Sequence, residues 1–244
     1  MLVVPLVVLA VFVGALTRAT FGFGEAVVTM PLLALLPIGL HTSASLVGLS
    51  GLTVALLSLA RGLHDVDRRM LARLTVGTVV GIPLGVALLL AVPAPLMSTA
   101  LGTVLVGYAA YALLPKPPVR AVHARWAYPT GVLAGALGSA YNFNGVPVVV
   151  FGTLRRWRPS VFRQTLQAHF LVSGVLVVAG QALGGIWTED LPRLFALCLP
   201  ALAAATVAGH RLHRRIPGDR FARYVYVLVL VLGSVLAARG LMAR

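Results

Sequence analysis

The sequence predicts an all-α, polytopic membrane protein made of two inverted repeats, each a re-entrant broken-helix hairpin followed by three transmembrane helices. Composition, an internal repeat and the distribution of basic residues support this prediction. Of the 244 residues, 59% are hydrophobic and 11% are charged, whereas a typical soluble domain has about 25% charged residues. Apolar stretches of about 20 residues recur from end to end, as expected of membrane-spanning helices.

The lengths of the apolar segments indicate which of them cross the membrane. They cover residues 2–20, 25–37, 44–61, 71–91, 96–114, 126–141, 146–154, 164–186, 192–209 and 222–238. The second and seventh extend for only about 20 and 14 Å at 1.5 Å per residue, less than the hydrocarbon core of about 30 Å. We therefore predict that 2–37 and 126–154 are re-entrant hairpins with glycine-rich tips, and that the other six segments cross the membrane.

An internal repeat divides the chain. "VGALTRATFGFGEAVV" (13–28) aligns without gaps on "AGALGSAYNFNGVPVV" (134–149), and residues 49–67 align on 172–190. The predicted organisation is a first repeat at 1–114, a cytoplasmic linker at 115–125 and a second repeat at 126–244. One hairpin and three crossings make an odd number of passages, so the second repeat is inverted and the two tips meet near the midplane.

The basic residues support this topology. The net charge is +14, and basic loops remain on the cytoplasmic side of a membrane, so we expect a lipid bilayer and not nucleic acid as the partner. In the hairpin topology, one side receives 16 of the 20 basic residues, in the loops 61–73, 115–125, 155–163 and 210–223. If each broken segment crossed once, the basic loops 115–125 and 155–163 would face opposite sides.

The hairpin tips carry the residues expected to bind a ligand. A helix begins after each tip, at about Glu25 and about Val146, and its free N–H groups and positive dipole end favour an anion. The alternative is that these residues only shape tight turns. The candidate binding residues are Phe21, Gly22, Phe23 and Gly24 in the first hairpin and Tyr141, Asn142, Phe143, Asn144 and Gly145 in the second.

A few polar residues within the predicted membrane segments add further candidates. Arg18 and Glu25 are the only charged residues there, and intramembrane charges usually mark a pathway or a partner. Arg18 is a candidate anion ligand and Glu25 a candidate proton carrier, or the two form a purely structural pair. Gln167 is a further candidate ligand, and His169 either relays protons or is a structural histidine.

Several classes of protein are not expected. Cys198 is the only cysteine, so neither an intrachain disulfide nor a cysteine metal cluster can form. The sequence has no histidine pair at metal spacing, no Walker motif and no dinucleotide motif, so we expect no cofactor and no ATP-driven transport. Three candidate titratable groups are too few for an intramembrane enzyme.

Three motifs, "FGFGEAVVTMP", "YNFNGVP" and "GLHDVD", occur within the four-plus-four layout. In these features, and over nearly its whole length, the chain resembles the TauE/SafE family, also called the 4-toluene sulfonate uptake permease family. It implies a secondary transporter in the bacterial cytoplasmic membrane for small sulfur-containing anions, such as sulfite or an organosulfonate like sulfoacetate. Export by alternating access, coupled to protons, is the expected activity.

Other functions remain open at this point. The alternatives are an importer of another organic anion and a membrane subunit that does not transport. Small-residue helix faces, such as those of Gly77, Gly81 and Gly85, also allow a homodimer, because small residues permit close helix contact in membranes.

Overall fold

The computed structural model describes residues 3–58, 64–114, 121–213 and 218–242, and every regular element in these ranges is helical. A short 3-10 turn at Ala124–Trp126 precedes the sixth α-helix. In chain order the helices are α1 (Val3–Phe21), α2 (Glu25–Ala34), α3 (Leu40–Ser58), α4 (Arg68–Ala91), α5 (Ala94–Leu113), α6 (Ala127–Tyr141), α7 (Gly145–Leu154), α8 (Pro159–Leu183), α9 (Leu191–His213) and α10 (Gly218–Met242).

The helices confirm the prediction of an all-α, multi-pass membrane protein. Within the described ranges, seven are long and apolar enough to cross a membrane, namely α1, α3, α4, α5, α8, α9 and α10. The predicted short segments form α2 and α7, each of 10 residues and so about 15 Å long. By length α1 can also cross, since its 19 residues extend for about 28 Å. The two helices of the first predicted hairpin are therefore unequal in length.

Several helices begin earlier than their apolar segments. The side chain of Asp67 accepts a hydrogen bond from the N–H of Met70 (3.0 Å) and caps α4. Pro159 opens α8, where its fixed φ angle suits the first helical turn. Basic residues of the connecting loops, such as Arg69 and Arg163, therefore belong to these helices.

Glycines bring the helix backbones into direct contact. A Cβ atom on Gly77, Gly81 or Gly85 of α4 would lie 2.0 to 2.2 Å from a backbone carbonyl oxygen of α6. Gly209 of α9 approaches α1, and Gly102 of α5 approaches α10, in the same way. These small-residue faces are occupied within the chain, so they give no support for the homodimer that the sequence allowed.

The helix pairs follow a regular scheme. α4 packs against α6 and α1 against α9, while α3 packs against α8 and α5 against α10. If each of the helices α1–α5 is replaced by the helix five places later, and each of α6–α10 by the helix five places earlier, the same four pairs result. α2 also packs against α5 and α10.

Hydrogen bonds tie connecting loops to helices. The N–H of Asp65 donates to Gln164 Oε1 of α8 (2.5 Å). Thr42 Oγ1 of α3 and Thr188 Oγ1 form a hydrogen bond (2.9 Å). The segment before α6 is tied to the end of α7, because the N–H of Val122 donates to the carbonyl oxygen of Leu154 (3.3 Å).

Some basic residues of the predicted cytoplasmic loops lie outside the described residues. They are Arg61, Lys116, Arg120, Arg214 and Arg215.

Candidate functional site

A cavity of about 50 Å³ lies between the turn that joins α1 to α2 (the first tip, residues 22–24) and the turn that joins α6 to α7 (the second tip, residues 142–144). This volume holds about four water-sized groups at 10–15 Å³ each. The cavity is lined by Arg18, Phe23, Gly24, Glu25, Ala26, Val27, Val47, Gly48, Gly51, Leu52, Tyr108, Asn142, Phe143, Asn144, Gly145, Val146, Val149, Phe170 and Gly174.

Glycine makes the first tip possible. The N–H of Gly22 donates to the carbonyl oxygen of Arg18 (2.7 Å) and closes α1. Gly22 and Gly24 have φ angles of 87° and 95°, in the left-handed region that other residues rarely adopt. α2 then begins at Glu25, as predicted, and its first residues line the cavity.

The second tip uses asparagine for the same reversal. Asn142 has a φ angle of 59°, a conformation that asparagine tolerates better than most residues. Its N–H donates to the carbonyl oxygen of Gly138 (2.7 Å), and the N–H of Phe143 donates to that of Leu137 (3.1 Å). α7 begins at Gly145, one residue before the predicted start, and the N-termini of α2 and α7 therefore both border the cavity.

Arg18 and Glu25 form a buried salt bridge at the cavity wall. Arg18 Nη1 donates to Glu25 Oε2 (3.0 Å) and to the carbonyl oxygen of Gly51 (2.9 Å). The Arg18 guanidinium also lies 4.5 Å from the centroid of the Phe170 ring, a favourable cation–π distance. Among the described residues, Arg18 Nε, Arg18 Nη2 and Glu25 Oε1 have no hydrogen-bond partner. The pair thus leaves polar atoms available for a ligand.

The structure brings most of the predicted site residues together. Arg18, Phe23, Gly24, Glu25, Asn142, Phe143, Asn144 and Gly145 all line the cavity. The asparagine amide groups nevertheless bind the scaffold: Asn142 Nδ2 donates to the carbonyl oxygen of Ala44, and Asn144 Nδ2 donates to Ser173 Oγ (2.7 Å). Their role as anion donors remains a prediction.

The other candidates lie outside this cavity lining. The Tyr141 hydroxyl donates to the carbonyl oxygen of Met97 (2.9 Å), and Gln167 Nε2 donates to that of Gly22 (2.6 Å), so both side chains brace the tips. Phe21 lines a smaller neighbouring cavity. His169 is fully buried, and neither ring nitrogen has a hydrogen-bond partner within the described part of the chain.

Sequence reasoning did not select several residues of the cavity wall. Gly51 and Gly174 occupy matching positions of the two repeats. From the sequence, glycines at such positions are better explained by helix packing than by contact with a ligand. Phe170 follows His169 in the sequence. It does not by itself indicate a binding site, because aromatic residues are common in apolar helices. Tyr108 also lines the wall, although nothing in its sequence neighbourhood distinguishes it from other residues of α5.

Comparison with known families identifies the chain. A family model described as "Sulfite exporter TauE/SafE" matches residues 6–236. The chain belongs to the TauE/SafE family. The expected resemblance is therefore confirmed over almost the whole sequence. Comparisons with curated proteins and with solved structures gave no match.

Membership of the TauE/SafE family indicates the general class of activity of the chain. TauE/SafE proteins are membrane transporters of sulfite- and sulfonate-type anions, which agrees with the seven membrane-length helices of the described chain. The chain is accordingly a multi-pass membrane transporter of this type. The N-termini of α2 and α7 both border the cavity between the tips.

Proposed function

We propose that this TauE/SafE protein is a secondary transporter that exports sulfite or a small organosulfonate, such as sulfoacetate, across a bacterial inner membrane. The observation that carries the proposal is the Arg18 guanidinium, which is buried at the cavity wall with Nε and Nη2 unpartnered among the described residues. A buried cation with free donors favours a ligand that brings negative charge and acceptor oxygens.

The anion would be held by preorganised donors. The N-terminal N–H groups of α2 and α7 border the same cavity as Arg18, and each helix N-terminus carries about half a positive charge. A sulfite or sulfonate group has three acceptor oxygens, which suits one arginine fork and two helix ends. Phe23 and Phe143 would exclude water from the bound anion.

We further propose that the chain consists of two inverted repeats, at 1–114 and 126–244, with a linker at 115–125. The bonds from Val122 to Leu154 and from Asp65 to Gln164 support this topology. They connect the loops 115–125 and 61–73 to residues directly beside the loop 155–163, and the hairpin model places all three loops on the cytoplasmic side. The exchange symmetry of the helix pairs supports it as well. Alternating access would then expose the shared cavity to each side in turn.

Cysteine labelling tests this topology. Replacement of Cys198, the only cysteine, by alanine gives a background for single cysteines at positions 66, 93, 158 and 188. A membrane-impermeant maleimide added from outside should label positions 93 and 188 only. Periplasmic labelling at 158 would contradict the hairpin topology.

For coupling, we propose that protons act through Glu25. Protonation of Glu25 would remove its charge from the pair with Arg18 and leave the guanidinium to the anion. Fully buried His169 is the second candidate for this role.

Flux into and out of proteoliposomes tests the proposed activity. Arg18→Gln should lower the affinity for labelled sulfite or sulfoacetate by about 10- to 100-fold, since a hydrogen bond to a charged group contributes about 1.5–3 kcal/mol. Arg193→Gln removes the same charge from an exposed site and should leave transport unchanged. Equal flux in both variants would place the anion site elsewhere, and an absence of flux in the unmodified protein would favour a non-transporting subunit.

A further inference from the structure

A second cavity, of about 20 Å³, borders the cavity between the tips. It has room for one or two water-sized groups at about 10–15 Å³ each. The two cavities are neighbours, because they share the lining residues Phe23, Gly24, Val27 and Tyr108. The remaining residues of the second cavity come from α1 and α10 and are Thr17, Phe21, Val225 and Tyr226.

The second cavity is apolar. None of the described residues that line it carries a charge. Its aliphatic hydroxyl, Thr17 Oγ1, already donates to the carbonyl oxygen of Val13 (2.8 Å). The rings of Tyr108 and Tyr226 pack edge to face with their centroids 5.9 Å apart. Such a lining favours hydrocarbon and disfavours a charged group, which would be buried without a partner.

The charges that line the two cavities are confined to the first. Among the described residues these are Arg18 and Glu25, which form the buried pair. With Glu25 protonated, as proposed above, Arg18 supplies one positive charge, and one anionic group balances it. A ligand with a second carboxylate, such as sulfoacetate, would place that carboxylate in the apolar cavity, where no cation neutralises it.

The two volumes suit the two ends of a short alkanesulfonate. Its head has one sulfur and three oxygen atoms, and the first cavity holds about four water-sized groups. The second cavity has room for the end of a short hydrocarbon tail. Gly24 borders both cavities and has no side chain that could separate them.

We propose that the protein selects alkanesulfonates with a short uncharged tail over sulfoacetate. The sulfonate group occupies the cavity beside Arg18, and the tail lies in the second cavity against Tyr108 and Val225. This inference rests on the proposed anion transport and narrows its substrate class. Ethanesulfonate is the probe, because sulfoacetate differs from it only by a carboxylate in place of the terminal methyl group.

Competition against labelled sulfite, with purified full-length protein at constant pH and ionic strength, tests this preference. Ethanesulfonate should bind about fourfold more tightly than methanesulfonate, which is the contribution of one buried methylene group. It should bind at least about tenfold more tightly than sulfoacetate, because burial of an unpaired carboxylate is costly.

Variants of α10 test where the tail lies. Val225 lines the second cavity and not the first, so Val225→Phe should abolish the advantage of ethanesulfonate over methanesulfonate. Val227→Phe is the matched control, because Val227 lies on the same helix with its side chain exposed, and it should retain that advantage. Val225→Ala enlarges the cavity and should increase the affinity for propanesulfonate by at least about threefold.

The outcomes distinguish the tail site from the anion site. Equal affinities for ethanesulfonate and sulfoacetate would overturn the proposed selectivity. Unchanged tail preferences in Val225→Phe and Val225→Ala, each eluting as a single species, would overturn the assignment to the second cavity. Binding of sulfite without any binding of alkanesulfonates would refute the tail site and leave the proposed function intact. No binding of any of these anions would refute the proposed function and the tail site with it.

Discussion

The salt bridge between Arg18 and Glu25 allows stability and transport to be separated in one set of variants. The two side chains are 7% and 4% exposed, and 3.0 Å separates Arg18 Nη1 from Glu25 Oε2. Removal of one partner of a buried pair leaves an uncompensated charge, which costs about 3–5 kcal/mol. For a chain of this size, that corresponds to a fall in melting temperature of roughly 6–20 °C, at about 2–4 °C per kcal/mol.

The two single variants should not be equal. Arg18→Met leaves the Glu25 carboxylate without the one hydrogen-bond partner that it has among the described residues, so we expect the larger loss. Glu25→Gln leaves Arg18 with the carbonyl oxygen of Gly51 and the Phe170 ring, so we expect a loss near the lower limit. The double variant Arg18→Met/Glu25→Gln removes both charges and should recover most of the stability.

Transport is expected to behave differently from stability. If Arg18 binds the anion, flux stays low in the double variant although its melting temperature recovers. The assay is a double-mutant cycle on melting temperature in detergent, run beside sulfite flux in proteoliposomes. Arg193→Met/Glu189→Gln is the matched control, because both of these side chains are exposed and exposed substitutions change stability by at most about 0.5 kcal/mol. Recovery of both stability and flux would refute the functional role of the pair.

Two further predictions use glycines with matched controls. Gly22→Ala places a side chain at a φ angle of 87° and should cost about 1–2 kcal/mol while weakening sulfite binding at least threefold. Gly39→Ala carries the same kind of strain (φ 72°) away from the cavity and should lower the melting temperature alone, so equal binding losses would contradict the proposed site. Gly81→Ala places a methyl group 2.0 Å from the carbonyl oxygen of Val132 and should lower stability by about 1–3 kcal/mol. Gly107→Ala has open space and should raise stability by up to about 1 kcal/mol, so similar melting temperatures for the two variants would contradict this account of α4–α6 packing.

The sequence predicts the fold well where the signal is local. Apolar segment lengths follow from the membrane thickness, and glycine or asparagine turns end a helix wherever they occur, so the starts of α2 and α7 are predicted to within one residue. The earlier starts of α4 and α8 are missed because Asp67 and Pro159 extend these helices into polar sequence. Apolarity alone cannot locate a helix end that is determined by capping.

The site is predicted only in part, for a related reason. Arg18 and Glu25 are conspicuous because any charge within an apolar segment is unusual. Gly48, Tyr108 and Gly174 are neutral residues on helices distant in sequence from the tips, and their places in the cavity wall depend on which helices become neighbours. Pairing of α3 with α8 brings two of them together, and no local pattern specifies that pairing.

The hydrogen bonds of the two tips give the cavity a polarity that the sequence does not suggest. Each asparagine amide nitrogen of the second tip donates a hydrogen bond to the scaffold, so at most one N–H of each remains for a ligand. Arg18, in the last turn of α1 before the first tip, has two nitrogens without a partner among the described residues. A bound anion is therefore expected nearer the first tip, held by Arg18 and by backbone N–H groups that are already in place. Such donors bind the oxygens of an anionic group and do not contact the rest of the ligand. This agrees with a family that transports both sulfite- and sulfonate-type anions.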